Sequence, residues 1–157
     1  MSMSQINYDH FKVICQGGGL KATSQRFVIF KSLVESALHP TADQLFEQVT
    51  THLPALSRDT VYRTLNSFWE CGLVRKLTMP GGATHFDGDL SPHHHFLCER
   101  CGKIFDLVWP QFESLQWPSD CSRIGRPRNA SVLILGSCLA CTRFDSLSQE
   151  TGGEGVS

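Results

Sequence analysis

Residues 57–74 read SRDTVYRTLNSFWECGLV, and the fold of the first half of the chain turns on them. Val61, Leu65 and Phe68 recur at helical spacing and make one apolar stripe. Ser57 stands where an N-cap belongs, and Asp59 puts an anion in the first turn, where the helix dipole favours it. Gly72 followed by Leu73 predicts a glycine-terminated stop. The other face shows Arg58, Tyr62 and Asn66 at i, i+4 and i+8, with Thr60, Arg63 and Thr64 beside them. These are donors suited to base edges and phosphates. The competing reading is a solvated helix face with ordinary surface arginines.

Three more helices are expected upstream. One runs from about Tyr8 to Gln16 and stops at three glycines, 17–19. A second is capped by Thr23 and carries Phe27, Phe30, Leu33 and Val34 on its apolar face. A third opens with TADQ (41–44), a capping-box pattern, and has Leu45, Val49 and Leu53 as its stripe. Downstream, LVRKL (73–77) and ATHFD (83–87) read as two strands joined by MPGG, whose glycines can take positive φ. Three helices followed by a hairpin give the layout of a winged helix-turn-helix, with 57–70 as its recognition helix. The wing adds Arg75 and Lys76 to the DNA-facing candidates. From Ser57 to Lys76 there are four basic and two acidic residues.

The texture changes near residue 90. Five of the seven cysteines follow, among short β-prone pieces. Cys98-x-x-Cys101 and Cys138-x-x-Cys141 are two sulfur pairs at metal-ligand spacing, and together they fit a closed four-thiolate zinc site. A redox dithiol is the alternative, although neither pair has the strand-then-helix context of one. Chance proximity of core cysteines is another. His93, His94 and His95 precede the first pair. In a strand His93 and His95 share a face, where two imidazoles can bind one metal, while His94 points away. Other hard donors lie at element ends: His39 before the third helix, Asp87 closing the wing and Asp106 ending KIFD. Three imidazoles with two carboxylates suit Fe(II) or Mn(II) better than zinc. Spacing alone does not bring these five together.

Composition limits the alternatives. Of 157 residues, 41% are hydrophobic and 18% charged, which suits a folded chain and excludes one mostly disordered. The net charge is −1, so any DNA contact has to come from a local patch rather than bulk charge. No apolar run approaches the roughly 18 residues of a membrane span. MSMSQINYDHFK has no apolar signal core, so a cytoplasmic location is expected. The expected organisation is α+β: a winged-helix domain at 1–87, a linker at 88–92, a small zinc-containing α/β domain at 93–145 and a frayed polar tail at 146–157.

These pieces add up to a family. The segments LKATSQR (20–26), HPTADQLFEQV (39–49), SRDTVYRTLNSFWECGLV (57–74), THFD (84–87), HHHFLCERCGKIFD (93–106) and GSCLAC (136–141) resemble the ferric uptake regulator family of metal-dependent repressors. The resemblance implies a cytoplasmic homodimer that binds a double-stranded DNA operator, not an enzyme and not a membrane protein. It implies structural zinc on Cys98, Cys101, Cys138 and Cys141. It also implies a regulatory Fe(II) or Mn(II) site made by His39, Asp87, His93, His95 and Asp106. Aspartates at both carboxylate positions make the chain most like the peroxide-responsive branch; an iron-responsive regulator is the alternative. A zinc hydrolase, from another class, lacks any HExxH-like motif here. Three departures stand out. Ser24 replaces a usual proline, Asn129 and Ala130 stand where many relatives have histidine, and Pro118 interrupts a longer helix of the family.

Overall fold

The computed structural model describes residues 7–36 and 38–143, so the tail expected at 146–157 lies outside the described residues. The chain divides into two compact units, Met1–Ser91 and Pro92–Ser157.

The first unit begins with four helices, α1 (Tyr8–Gly17), α2 (Ser24–Glu35), α3 (Ala42–Thr50) and α4 (Arg58–Glu70). Each starts on a side-chain cap, from Asn7, Thr23, Thr41 and Ser57 respectively. Thr41 and Gln44 close a reciprocal capping box: the Gln44 side chain accepts from the Thr41 N–H and the Thr41 hydroxyl accepts from the Gln44 N–H. At the far end of α4, the Leu73 N–H donates to the Phe68 carbonyl and the Gly72 N–H to that of Trp69. Gly72, at φ 70°, supplies the left-handed residue this paired termination needs.

A hairpin, β1 (Arg75–Thr78) and β2 (Thr84–Asp87), follows in antiparallel register with Arg75 opposite Asp87 and Leu77 opposite His85. Pairing starts at Arg75 rather than Leu73 because the Leu73 N–H is already committed to the end of α4. Gly81 and Gly82, at φ 96° and 86°, make the turn between the strands.

An aromatic nucleus holds this unit together. Phe11 of α1 is fully buried, its ring 5.5 Å from Phe27, 5.3 Å from Phe30 and 6.2 Å from Phe68. Leu45, Val49, Val61, Leu65 and Phe86 complete the interior. On α2 the buried residues are Ile29, Phe30 and Leu33, with Phe27 and Val34 half-buried. Sequence periodicity placed Phe27 and Val34 on the buried face and passed over Ile29. Core residues of both α1 and α4 meet this helix, so its buried arc is broader than a single stripe.

The second unit is a three-stranded sheet ordered β4-β3-β5. Strand β3 (His94–Cys98) pairs antiparallel with β4 (Ile104–Leu107) and parallel with β5 (Leu133–Gly136). Two short helices, α5 (Pro110–Glu113) and α6 (Ser119–Ile124), lie between β4 and β5, with Pro118 at the N-cap of α6. Proline lacks the N–H that continuing a helix through this point would require. Among the described residues, no helix is long and apolar enough to cross a membrane.

Phe11→Ala removes the ring on which the aromatic nucleus converges. It is expected to cost about 3–5 kcal/mol in urea unfolding. A loss below about 1 kcal/mol would show that α1 is not part of the cooperative core.

Candidate metal centres and nucleic-acid face

The four paired cysteines converge. Their sulfurs all lie within 4.8 Å of one another, and Cys101 Sγ sits 3.9 Å from Cys138 Sγ. A tetrahedral ion with bonds of about 2.3 Å needs sulfur–sulfur edges of about 3.8 Å. Cys98 and Cys101 flank the tight turn after β3, closed by the Gly102 N–H donating to the Cys98 carbonyl. Cys138 follows β5, which runs beside β3 with Gly136 opposite Cys98. The Cys138 N–H then donates to Cys98 Sγ at 3.3 Å.

That amide, joined by those of Cys101 and Arg100, pulls the Cys98 thiol down to about 6. Cys141 is pushed up to about 12, first by its hydrogen bond with Cys138 and then by burial and the other sulfurs. Cys98 is thus favoured as the thiolate, while Cys141 is held in its thiol form. Four thiolates at this spacing require a cation among them, and an all-sulfur donor set with no open corner suits a structural zinc.

The histidine cluster follows strand alternation. His93 Nε2 lies 3.0 Å from His95 Nε2. Asp106, opposite His95 on β4, brings a carboxylate oxygen to 3.5 Å from His93 Nε2 and 3.8 Å from that of His95. The second unit thereby gathers two imidazoles and a carboxylate around one point. His94 points to the other face. Its Nδ1 accepts the Val132 N–H at 3.1 Å, and its ring stands edge-on to Phe112 at 4.7 Å. Its buried Nε2 has no hydrogen-bond partner among the described residues, and aromatic rings border it instead.

The first unit brings together the two remaining donors. His39 Nε2 is 3.8 Å from an oxygen of Asp87, with both residues buried. His39 has φ 46°, the single positive value outside glycine among the described residues, in a region that costs a non-glycine residue about 1–3 kcal/mol.

On α4, Tyr62 is 53% exposed, Arg58 and Arg63 are exposed, and Asn66 is half-buried. Each arginine already has an acidic neighbour. Arg58 pairs with Asp43 of α3 and lies over the Phe46 ring at 4.9 Å, while Arg63 pairs with Asp59 at 3.0 Å. Thr60 is tied into the N-cap, its hydroxyl 2.8 Å from that of Ser57. In the wing, Lys76 sits 3.8 Å over the Trp69 ring. Arg75 donates instead to the carbonyls of Leu90 and Ser91, between wing and linker. A cleft of about 510 Å³ opens beside α4, lined among others by Lys21, Gln25, Arg26 and Arg63. Sequence reading passed over Lys21 and Arg26. Their signal was the basic pair bracketing the Thr23 cap.

Comparison with known proteins gives one consistent match. The ferric uptake regulator family model matches residues 17–120. The peroxide-responsive repressor PerR of Staphylococcus aureus is 36% identical over 98 residues, which cover 62% of this chain and 66% of that protein. The match thus spans slightly less than two thirds of the relative's length. Among solved structures, the ferric uptake regulator of Vibrio cholerae superposes with a TM-score of 0.69 at 25% identity, covering 82% of this chain and 99% of that one. The Campylobacter jejuni peroxide stress regulator gives 0.63 at 25% identity, covering 87% and 100%.

The purified protein is expected to hold one zinc ion per chain through mild chelation. Cys138→Ser should lose it, with Cys71→Ser as the control that keeps it, both read by elemental analysis. Full zinc in the Cys138 variant would overturn the four-cysteine assignment.

Proposed function

The chain belongs to the ferric uptake regulator family, and we propose that it is a metal-dependent repressor that binds a double-stranded DNA operator as a cytoplasmic homodimer and senses peroxide. The donor set carries this reading. His93, His95 and Asp106 cluster on the second unit, His39 and Asp87 on the first, and both carboxylates are aspartates. Such nitrogen–oxygen sites suit Fe(II) or Mn(II), whereas the all-sulfur cluster suits zinc. In this reading the five residues form one regulatory site, and Cys98, Cys101, Cys138 and Cys141 hold the structural zinc.

The operator-facing surface is α4 and the wing: Arg58, Thr60, Tyr62, Arg63, Asn66 and Lys76. Arg75 belongs to this surface too; in the structure its guanidinium donates to the carbonyls of Leu90 and Ser91. Exposed ion pairs such as Arg63–Asp59 are worth little, so their cations can exchange a carboxylate for a phosphate at small cost. Support for a homodimer comes from the second unit, where Val108, Ile124 and Leu139 are 72%, 87% and 78% exposed. A second copy packed on this unit would cover such side chains. In a symmetric dimer two recognition helices meet successive major grooves roughly 34 Å apart.

Iron, when bound, supplies the electron transfer that activates peroxide. The ring that would take up the oxygen is His39 or His93. On whichever of the two reacts, one peroxide would leave one oxygen atom on a ring carbon, and the displaced hydrogen would depart with the other oxygen as water. Loss of a ligand then weakens metal binding and, with it, hold on the operator.

The test is direct. Fe(II)-loaded protein exposed briefly to peroxide should release operator DNA, and mass spectrometry should find one added oxygen on the peptide of His39 or His93. Mn(II)-loaded protein should stay bound and unmodified. Insensitivity with both metals would favour an iron-level regulator, and oxygen on cysteines alone would place sensing at the zinc cluster. Separately, Tyr62→Ala should weaken operator binding at least ten-fold with zinc content unchanged.

A further inference from the structure

His39 is held in an unfavourable backbone conformation, and one strand of the wing does the holding. The residue before a proline is pushed towards extended conformations, yet His39, which precedes Pro40, has φ 46°. Three contacts from β2 oppose its relaxation. His85 Nδ1 lies 2.6 Å from the His39 carbonyl oxygen. The Phe86 N–H donates to the Pro40 carbonyl at 3.0 Å. Thr41 pairs with His85 as an isolated antiparallel bridge. The segment 39–41 therefore lies against β2 like a short third strand, then enters α3 at Ala42.

Alternation along β2 divides its duties. Phe86 turns into the core, while His85 and Asp87 share the opposite face. Asp87 meets the His39 ring, and His85 meets the His39 backbone. The two grips come from neighbouring positions on one side of the same strand.

We propose that His85 is a positioning residue for the regulatory metal site: its Nδ1–H clamps the His39 carbonyl, fixing the strained backbone that presents the His39 imidazole beside Asp87. The proposal rests on the reading of His39 as a metal ligand. A carbonyl oxygen only accepts, so the clamp requires the proton on Nδ1. His85 needs no bond to the metal to affect it. Residues that orient a ligand typically change metal affinity by about 10–100-fold when removed. The same clamp joins the wing hairpin to the start of α3, so losing it also loosens the wing relative to the helix-turn-helix.

The experiment measures Mn(II) affinity by electron paramagnetic resonance on the zinc-loaded full chain, for wild type and three variants. His85→Phe keeps bulk and removes the donor, and it should weaken Mn(II) binding at least ten-fold with zinc content unchanged. His85→Asn restores an N–H near the Nδ1 position and should recover most of that loss, which a merely structural role would not do. His39→Ala tests the reading underneath. If it leaves Mn(II) affinity intact, His39 is not a ligand and both ideas fall. If it abolishes binding while His85→Phe matches wild type, the clamp alone is wrong. An independent readout needs no variant to fold. Long-range ¹H–¹⁵N spectra of wild-type protein should show the His85 proton on Nδ1, and a proton solely on Nε2 would overturn the proposal.

Discussion

Four sulfurs drawn within 4.8 Å of one another set the terms for the second unit. Its interior is thin: among the described residues, Leu97 and Ile104 are its buried aliphatic side chains, alongside Cys98 and Cys138. A three-stranded sheet with so little apolar burial has little hydrophobic stabilisation to set against chain entropy. The cysteine cluster supplies the missing constraint, because it ties the turn after β3 to the segment after β5 across the parallel pair. His95 lies in the strand whose last residue is Cys98, and His93 immediately precedes that strand. The two metal centres differ in chemistry and share one strand.

The first unit solves the same problem by burying aromatic rings, and it needs no cross-link. Phe11, Phe30 and Phe68 meet edge-on or tilted, and such pairs add about 0.5–1.5 kcal/mol each beyond area burial.

Local features were legible in the sequence. The Thr41–Gln44 capping box, the Ser57 cap, the Gly72 stop and the β3 alternation all follow from residues within a few positions of each other. The cysteine quartet was legible because CxxC spacing is itself geometric information. Contacts between distant segments were not. Nothing near His85 announces that its ring meets a carbonyl 46 residues away. The pairing of Arg58 with Asp43, and the turning of Arg75 towards Leu90 and Ser91, likewise depend on tertiary placement that no periodicity encodes. Ile29 was missed because the single-stripe rule assumes one packing partner, and α2 has two.

The burial of Phe86 has a consequence for how the wing can vary over evolutionary time. A strand repeats every two residues, so a slip of one position exchanges its faces. Here that slip would expel a ring that is 2% exposed and drive an imidazole and a carboxylate into its place. The cost falls on the core before it falls on the proposed metal site. Length changes in the turn at Pro80–Gly82 are therefore filtered by folding first, and chains that survive that filter keep Asp87 facing His39. Packing acts as a proofreader for a proposed ligand it does not touch.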